Sequence, residues 1–126
     1  MAKPPKITFR ENEPLQAYYS DKDCNLYSVA RLIDDTKHLP VFDVPLAAID
    51  LGGEIWRGCD MFDLAAHVKQ VMDADLRCPI LLDWRGAIAD GRHRVIKAIA
   101  EGRRTIKARR MHWQPEPDKA APEGGQ

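Results

Sequence analysis

The sequence has no long apolar run: none approaches the roughly 18 consecutive apolar residues that a membrane-spanning helix requires. It also begins without the hydrophobic centre that is typical of a secretory signal peptide. Cysteine is scarce, with three residues in 126 and no Cys-x-x-Cys pair. An odd number of widely spaced cysteines favours free thiols over a disulfide framework. We therefore expect a cytoplasmic protein that has no membrane partner.

The sequence also lacks the ligand spacing that is typical of a metal site. No pair of cysteine or histidine residues is separated by the short intervals found in zinc sites. The sequence therefore predicts no metal site in the protein itself. The alternative is a zinc site that combines distant residues, namely Cys24, Cys59 and Cys78 with His38, His67 or His112.

Net charge is absent, since 19 lysine and arginine residues balance 19 aspartate and glutamate residues. The balance is nevertheless uneven along the chain. Residues 85–110 carry nine basic residues against two acidic ones, so this segment has a charge of +7 and the remainder −7. Such asymmetry indicates an anionic partner, either a nucleotide or nucleic acid, whereas a solvated basic surface is the alternative. The candidate nucleic-acid-binding residues are Arg85, Arg103, Arg104, Arg109 and Arg110.

A strand-like run that ends at Asp90-Gly91 and continues as a basic helix is the most informative motif. The preceding segment 79–89 is typical of a β-hairpin, and the apolar spacing after Gly91 predicts a helix over 92–101. Backbone N–H groups at a helix N-terminus favour anions, and a glycine there permits close approach to the ligand. The candidate phosphate-binding residues from this motif are Asp90, Gly91, Arg92, His93 and Arg94. The structural alternative is that Asp90 only caps the helix.

The same region resembles the ParB/sulfiredoxin superfamily. The resemblance covers about residues 39–111 and is strongest over 79–109. It rests on the order of these segments: Pro79-Ile80-Leu81-Leu82-Asp83, a turn, Ile88-Ala89-Asp90-Gly91-Arg92-His93-Arg94, a helix ending in Glu101-Gly102, and Thr105-Ile106-Lys107-Ala108. It implies an α+β fold: one ParB/sulfiredoxin-like domain with a mixed sheet and helices packed around it.

The resemblance also implies how the motif functions. ParB proteins bind and hydrolyse a nucleoside triphosphate through a Gly-Glu-Arg-Arg box, and Gly91, Arg94 and Ala98 match that pattern, while Arg92 replaces the glutamate. Arg92 also occupies the place of the sulfiredoxin catalytic cysteine, so sulfiredoxin activity is not expected. Free-serine kinases of the superfamily share the Asp-Gly-x-His-Arg form. ParB proteins carry an arginine in an upstream loop that helps to close the nucleotide site, and the resemblance assigns that role to Arg57.

We predict three segments: an N-terminal arm and helix over 1–38, the ParB/sulfiredoxin-like domain over 39–113, and a disordered, Pro/Gly-rich tail over 114–126. Within them, apolar periodicity predicts helices over 25–35 and 60–74, the second capped by Asp60. We expect the first helix to cover a sheet edge or, alternatively, to pair with a second subunit in a homodimer. The predicted core contains Ile80, Leu82, Val95, Ile99 and Ile106, packed with Leu64, Val68 and Val71 of the second helix.

The function predicted from the sequence is binding of a nucleotide or nucleic-acid backbone at residues 90–94. The first alternative is an NTPase or phosphotransferase that uses Mg²⁺ with a nucleoside triphosphate, and its candidate carboxylates are Asp83, Asp90 and Glu54. The second is an accessory protein of plasmid or phage type that binds no ligand. If the protein binds a nucleotide or nucleic acid, we expect stacking on bases by the three tryptophans, Trp56, Trp84 and Trp113. In the structural alternative they cover the core.

Overall fold

The computed structural model describes residues 3–9, 17–53 and 55–122. Within these ranges the chain forms six short strands and three α-helices. In chain order they are β1 (Tyr18–Ser20), β2 (Leu26–Ser28), α1 (Val29–Thr36), β3 (Phe42–Pro45), α2 (Met61–Asp73), β4 (Ile80–Leu82), β5 (Ile88–Asp90), α3 (Arg92–Ala100) and β6 (Thr105–Arg110).

The strands form two sheets. A mixed four-stranded sheet has the order β3-β6-β4-β5, in which β6 runs antiparallel to β3 and parallel to β4, and β4 pairs antiparallel with β5. A separate antiparallel pair joins β1 to β2. Because β4 and β6 are parallel, the chain must cross over between them, and α3 lies in that connection. The predicted α+β fold with a mixed sheet is confirmed.

Both helix predictions upstream of the motif can be compared with the structure. Asp60 begins α2 as the N-cap, and its carboxylate accepts the Asp63 N–H in a reciprocal capping box, so the helix predicted over 60–74 is confirmed. The helix predicted over 25–35 is wrong at its start. Leu26–Ser28 form β2, because they pair with β1 in the register Tyr19 opposite Tyr27. The helix begins only after Ser28, whose side chain caps it.

The core prediction is correct for the sheet and wrong for α2. Ile80, Leu82, Val95 and Ile106 are buried in one cluster, as expected. Their burial joins α3 to the sheet and thereby fixes the position of the motif at its N-terminus. Ile99, in contrast, is 46% exposed and lies at the rim of α3.

The apolar stripe of α2 faces outward instead of into the core. Leu64 and Val68 are 50% and 47% exposed, and Val71 is only partly buried. The helix packs on α3 through a different side, on which Ala66 and His67 are partly covered. Periodicity identified this helix but did not identify its packing face, because a stripe at helical spacing is the same whether or not a neighbour covers it.

The end of the described chain contacts β2 and α1. Backbone hydrogen bonds join Leu26 to Asp118 and Lys119, and the Asp118 carboxylate accepts the Ser28 N–H at 2.6 Å. Arg31 of α1 also pairs with Asp118. Residues 116–121 of the segment predicted as a disordered tail make such contacts, because an unpaired strand edge supplies partners for backbone groups. Residues 123–126 lie outside the described ranges. Among the described helices, none combines the length and apolar character needed to cross a membrane.

Candidate functional site

The turn between β5 and α3 is built around Gly91. Its φ of +107° lies in the left-handed region, and a Cβ atom there would come within 2.5 Å of Ile80 Cγ2. Glycine is therefore required both by the backbone and by its packing against β4. In the structural alternative Asp90 caps the helix, but Gly91 is the N-cap residue and no side-chain capping bond is present there. That alternative is wrong because the Asp90 carboxylate is directed to another partner.

The partner of Asp90 is Arg94. The Arg94 guanidinium donates to the Asp90 carboxylate at 3.0 Å and to the carbonyl oxygens of Cys78 and Pro79 at 3.2 and 2.5 Å. It therefore joins the first turn of α3 to the beginning of β4. This group lies at a cavity of about 230 Å³ that Arg109 also lines. Much of the hydrogen-bonding capacity of Arg94 is used within the fold.

His93 points instead to α2. Its Nε2 lies 2.8 Å from Nδ1 of His67, so one imidazole donates a hydrogen bond to the other. The Trp56 ring stacks on His67 with a centroid separation of 3.6 Å and an interplanar angle of 8°. Burial lowers the pKa of His93 below the usual histidine range, and the neighbouring His67 and Arg94 lower it further. The neutral form of His93 is therefore favoured.

Arg92 faces a third direction, towards a cavity of about 220 Å³ between α3, β5, β1 and the loop that follows residue 49. Its guanidinium is 3.4 Å from the carbonyl oxygen of Ile55 in that loop. Apolar side chains make up much of the cavity wall, and the polar lining comes from Tyr19, Ser20, Asp50 and Arg92. Most of the apolar wall is formed by Leu51, Ile55, Ile88, Val95, Ile96 and Ile99.

The charged side chains of the 90–94 motif thus do not converge on one volume. Arg94 and Asp90 face the β4 side, His93 faces α2, and Arg92 faces the 220 Å³ cavity. Three successive helical residues point about 100° apart from one another, which accounts for the divergence. A sequence motif read as a linear string concealed this difference in direction.

The carboxylates considered for catalysis have other roles or lie elsewhere. Asp83 is 1% exposed and accepts the N–H groups of Arg85 and Ala87, so it closes the β4–β5 hairpin. It also accepts a hydrogen bond from the Tyr19 hydroxyl at 2.7 Å. Burial is the larger cause of the raised pKa of Tyr19, and this hydrogen bond raises it further. Asp90 is paired with Arg94. Glu54 lies outside the described residues.

The candidate nucleic-acid residues are distributed over two ends of β6. Arg103 and Arg104 precede the strand, and Arg110 ends it. At the usual rise per residue, the two ends lie on the order of 20 Å apart. Arg85, beside the β4–β5 turn, pairs with Asp23 at 2.9 Å, and Arg103 lies 3.7 Å from Glu101. Arg109 donates to the carbonyl of Leu39 and Arg110 to that of Trp84. Acidic and backbone partners therefore offset part of the +7 segment.

Arg57 is exposed in the same loop as Trp56. The rings of Trp84 and Tyr27 meet edge to face with a centroid separation of 5.4 Å, which fits the core interpretation of Trp84. The ring centroids of Trp113 and His38 are 6.5 Å apart. All three cysteines are free and exposed. In the part of the chain that the structure describes, no three His, Cys, Asp or Glu side chains are grouped closely enough to hold a metal ion.

The chain matches no family model, no curated protein and no solved structure with which it was compared. The α+β fold consequently rests on the structure itself, and the resemblance to the ParB/sulfiredoxin superfamily stays a prediction.

Sequence reasoning missed two components of the site. His67 was considered only as a ligand of the alternative zinc site, on a helix interpreted as core, and Tyr19 lies upstream of the segment that carries the resemblance. A histidine on the predicted helix was the available signal for His67. Nothing in the local sequence pairs it with His93, which is 26 residues away. Tyr19 carries no local signal for the cavity.

Proposed function

We propose that this protein is a ParB/sulfiredoxin-type domain that binds a phosphate-bearing ligand of the nucleotide class. The phosphate is held by Arg92 at the first turn of α3, and the apolar part of the ligand occupies the 220 Å³ cavity. The placement of Arg92 at this cavity is the observation that carries the proposal. We further propose a reducing, cytoplasmic location, which the three free thiols support.

The chemistry of the lining supports a ligand with two unlike ends. A guanidinium binds phosphate oxygens in a bidentate manner, and the positive end of the α3 dipole adds to its attraction for an anion. Apolar walls such as Leu51 and Ile88 suit the face of a planar ring or a sugar edge. A cavity of about 220 Å³ accommodates only part of a nucleotide, so the phosphates would extend outside it.

Asp50 is the carboxylate that lines the cavity, and it already accepts the Gly52 N–H at 3.0 Å. A Mg²⁺ ion brought by a nucleoside triphosphate would find this single carboxylate there and otherwise depend on phosphate and water oxygens. Among the described residues that line the cavity, no other acidic side chain could serve as a magnesium ligand or a general base. The proposal is therefore limited to binding.

A thermal-shift screen of nucleoside mono-, di- and triphosphates, with and without Mg²⁺, tests the proposal. A ligand that binds only the folded state raises the melting temperature. We expect a rise for the wild type that is lost in Arg92→Ala and kept in Arg104→Ala, a matched control that removes an exposed arginine outside the cavity. If no nucleotide stabilises the wild type, or if both variants respond as it does, the proposal is wrong.

A further inference from the structure

The cluster of Trp56, His67 and His93 joins three elements that the sequence keeps apart. Trp56 belongs to the loop after residue 49, His67 to α2 and His93 to α3. The two imidazoles and the indole are stacked or nearly coplanar, with interplanar angles of 8°, 22° and 24° between the three pairs. We refer to these three residues as the histidine clasp.

The hydrogen bond in the clasp depends on proton count. The His67–His93 centroids are 5.1 Å apart and the two nitrogens 2.8 Å, so the rings meet end to end, with one N–H directed at the facing nitrogen. A neutral imidazole has one donor and one acceptor, and an imidazolium has two donors. The bond therefore exists when the pair carries no extra proton or one, and it is lost when both rings are protonated, since two N–H groups and two positive charges then face each other.

The clasp also supports the wall of the cavity. Ile55, next to Trp56 in the chain, lines the cavity and accepts from Arg92, so the stacked indole fixes this part of the loop against α2 and α3. We propose that the histidine clasp is a proton-operated latch: double protonation drives His67 and His93 apart, so that Trp56, stacked on His67, no longer holds the loop against α3 and the Arg92 cavity opens. Regulation of the cavity rests on the proposed function, whereas the latch itself does not.

The charges around the clasp set the pH at which it opens. On α3, Arg92 and Arg94 both disfavour a second positive charge on His93, and Asp90 of β5 favours it. Burial also disfavours that charge, so the pKa of His93 is lowered. The acidic residue one turn before His67 on α2 is Asp63, and Arg57 is the charged neighbour of Trp56 in the loop. The usual pKa of histidine is about 6.5, and the latch should therefore open below that pH.

The sign for stability follows from the same shift. The unfolded chain takes up a proton at His93 near pH 6.5, whereas the folded chain takes it up only at lower pH. Between these two pH values the unfolded state binds more protons, so stability is full above pH 6.5 and falls as the pH drops towards the folded pKa. The latch and the loss of stability therefore occur in one acidic window.

An NMR titration of the full chain between pH 7.5 and 4.5 tests the latch without any ligand. We expect the Trp56 indole N–H signal to shift with the same midpoint as the His93 ring signals, below the usual histidine pKa of about 6.5. His67→Gln should abolish the acid-dependent shift at Trp56, because glutamine can bond the facing ring without titrating. The matched control His38→Gln changes a histidine that lies beside Trp113 outside the clasp, and it should leave the Trp56 titration unaltered.

Two outcomes would overturn the latch: a Trp56 signal that does not follow His93, or a Trp56 titration that persists in His67→Gln. A second titration, with the best nucleotide at pH 7.5 and at pH 5, separates this proposal from the binding proposal. We expect at least a tenfold weaker affinity at pH 5 in the wild type and a smaller loss in His67→Gln. Equal loss in both proteins would contradict control of the cavity by the latch. Absence of nucleotide binding at both pH values, with the Trp56 titration intact, would contradict only the binding proposal.

Discussion

Replacement of Gly91 by alanine tests the structural role of this glycine. The φ of +107° would impose strain on an L-residue, about 1–2 kcal/mol in the left-handed region. The new Cβ would also lie 2.5 and 2.8 Å from two side-chain carbons of Ile80 and 3.2 Å from its Cα. Ile80 is 1% exposed on a central strand and cannot move away freely, so overpacking adds about 1–3 kcal/mol. Gly91→Ala should therefore lower the free energy of unfolding by about 2–5 kcal/mol.

Urea denaturation at pH 7.5, followed by circular dichroism, measures this loss, and two other glycines serve as controls. Gly102 also has a positive φ, of +74°, but its Cβ would meet nothing within 4 Å, so Gly102→Ala should show only the strain of about 1–2 kcal/mol. Gly53 has neither feature, and Gly53→Ala should show no loss. In the double variant with Ile80→Ala, part of the Gly91→Ala cost should disappear because the nearest contacting carbon, Ile80 Cγ2, is removed. If Gly91→Ala costs no more than Gly102→Ala, the packing argument is wrong.

Three further predictions concern polar groups that are buried or partly buried. Arg94→Met should lower the free energy of unfolding by about 1–3 kcal/mol in urea, because it leaves its carboxylate and carbonyl partners unsatisfied. Lys37→Met, which breaks an exposed ion pair, should leave the free energy of unfolding unchanged within the error of the measurement. Equal effects of the two substitutions would contradict the structural role of Arg94. Tyr19→Phe should cost about 1–3 kcal/mol, since it removes one donor from the buried carboxylate of Asp83, and a neutral result by the same assay would show that this bond contributes nothing. Burial alone would raise the pKa of Asp21, but the hydrogen bonds it accepts lower it, so its contribution is present above about pH 4 and is lost as the pH falls further. Asp21→Asn should therefore flatten the acid limb of stability against pH, and an unchanged limb would refute this.

The sequence predicted the elements whose signals are local. The Asp60 cap and the apolar period located α2, and the Asp90-Gly91 pair located the start of α3 to within one residue. The strand at Leu26–Ser28 was missed because its stability comes from pairing with β1, a partner that no local pattern identifies.

The site was predictable in composition but not in direction. The motif supplied Arg92, His93 and Arg94, yet their separate orientations depend on which neighbour each one meets. His93 meets His67 only because α2 packs on α3, and Arg94 meets Asp90 because Gly91 turns the chain between them. Besides the loop after residue 49, the cavity requires β1, which the sequence did not associate with the motif. Tertiary contacts of this kind leave no period in the sequence.

The most direct test of the central claim is an NMR map of the bound nucleotide. Backbone amide shifts of the wild type are recorded during titration with the nucleotide that most raises the melting temperature. We predict that the largest changes fall on the cavity lining, at Ser20, Leu51, Ile88 and Arg92, and that they vanish in Arg92→Ala. Changes centred instead on Cys78 and Arg109, which line the cavity on the β4 side, would contradict the account, as would changes confined to the arginines at the ends of β6.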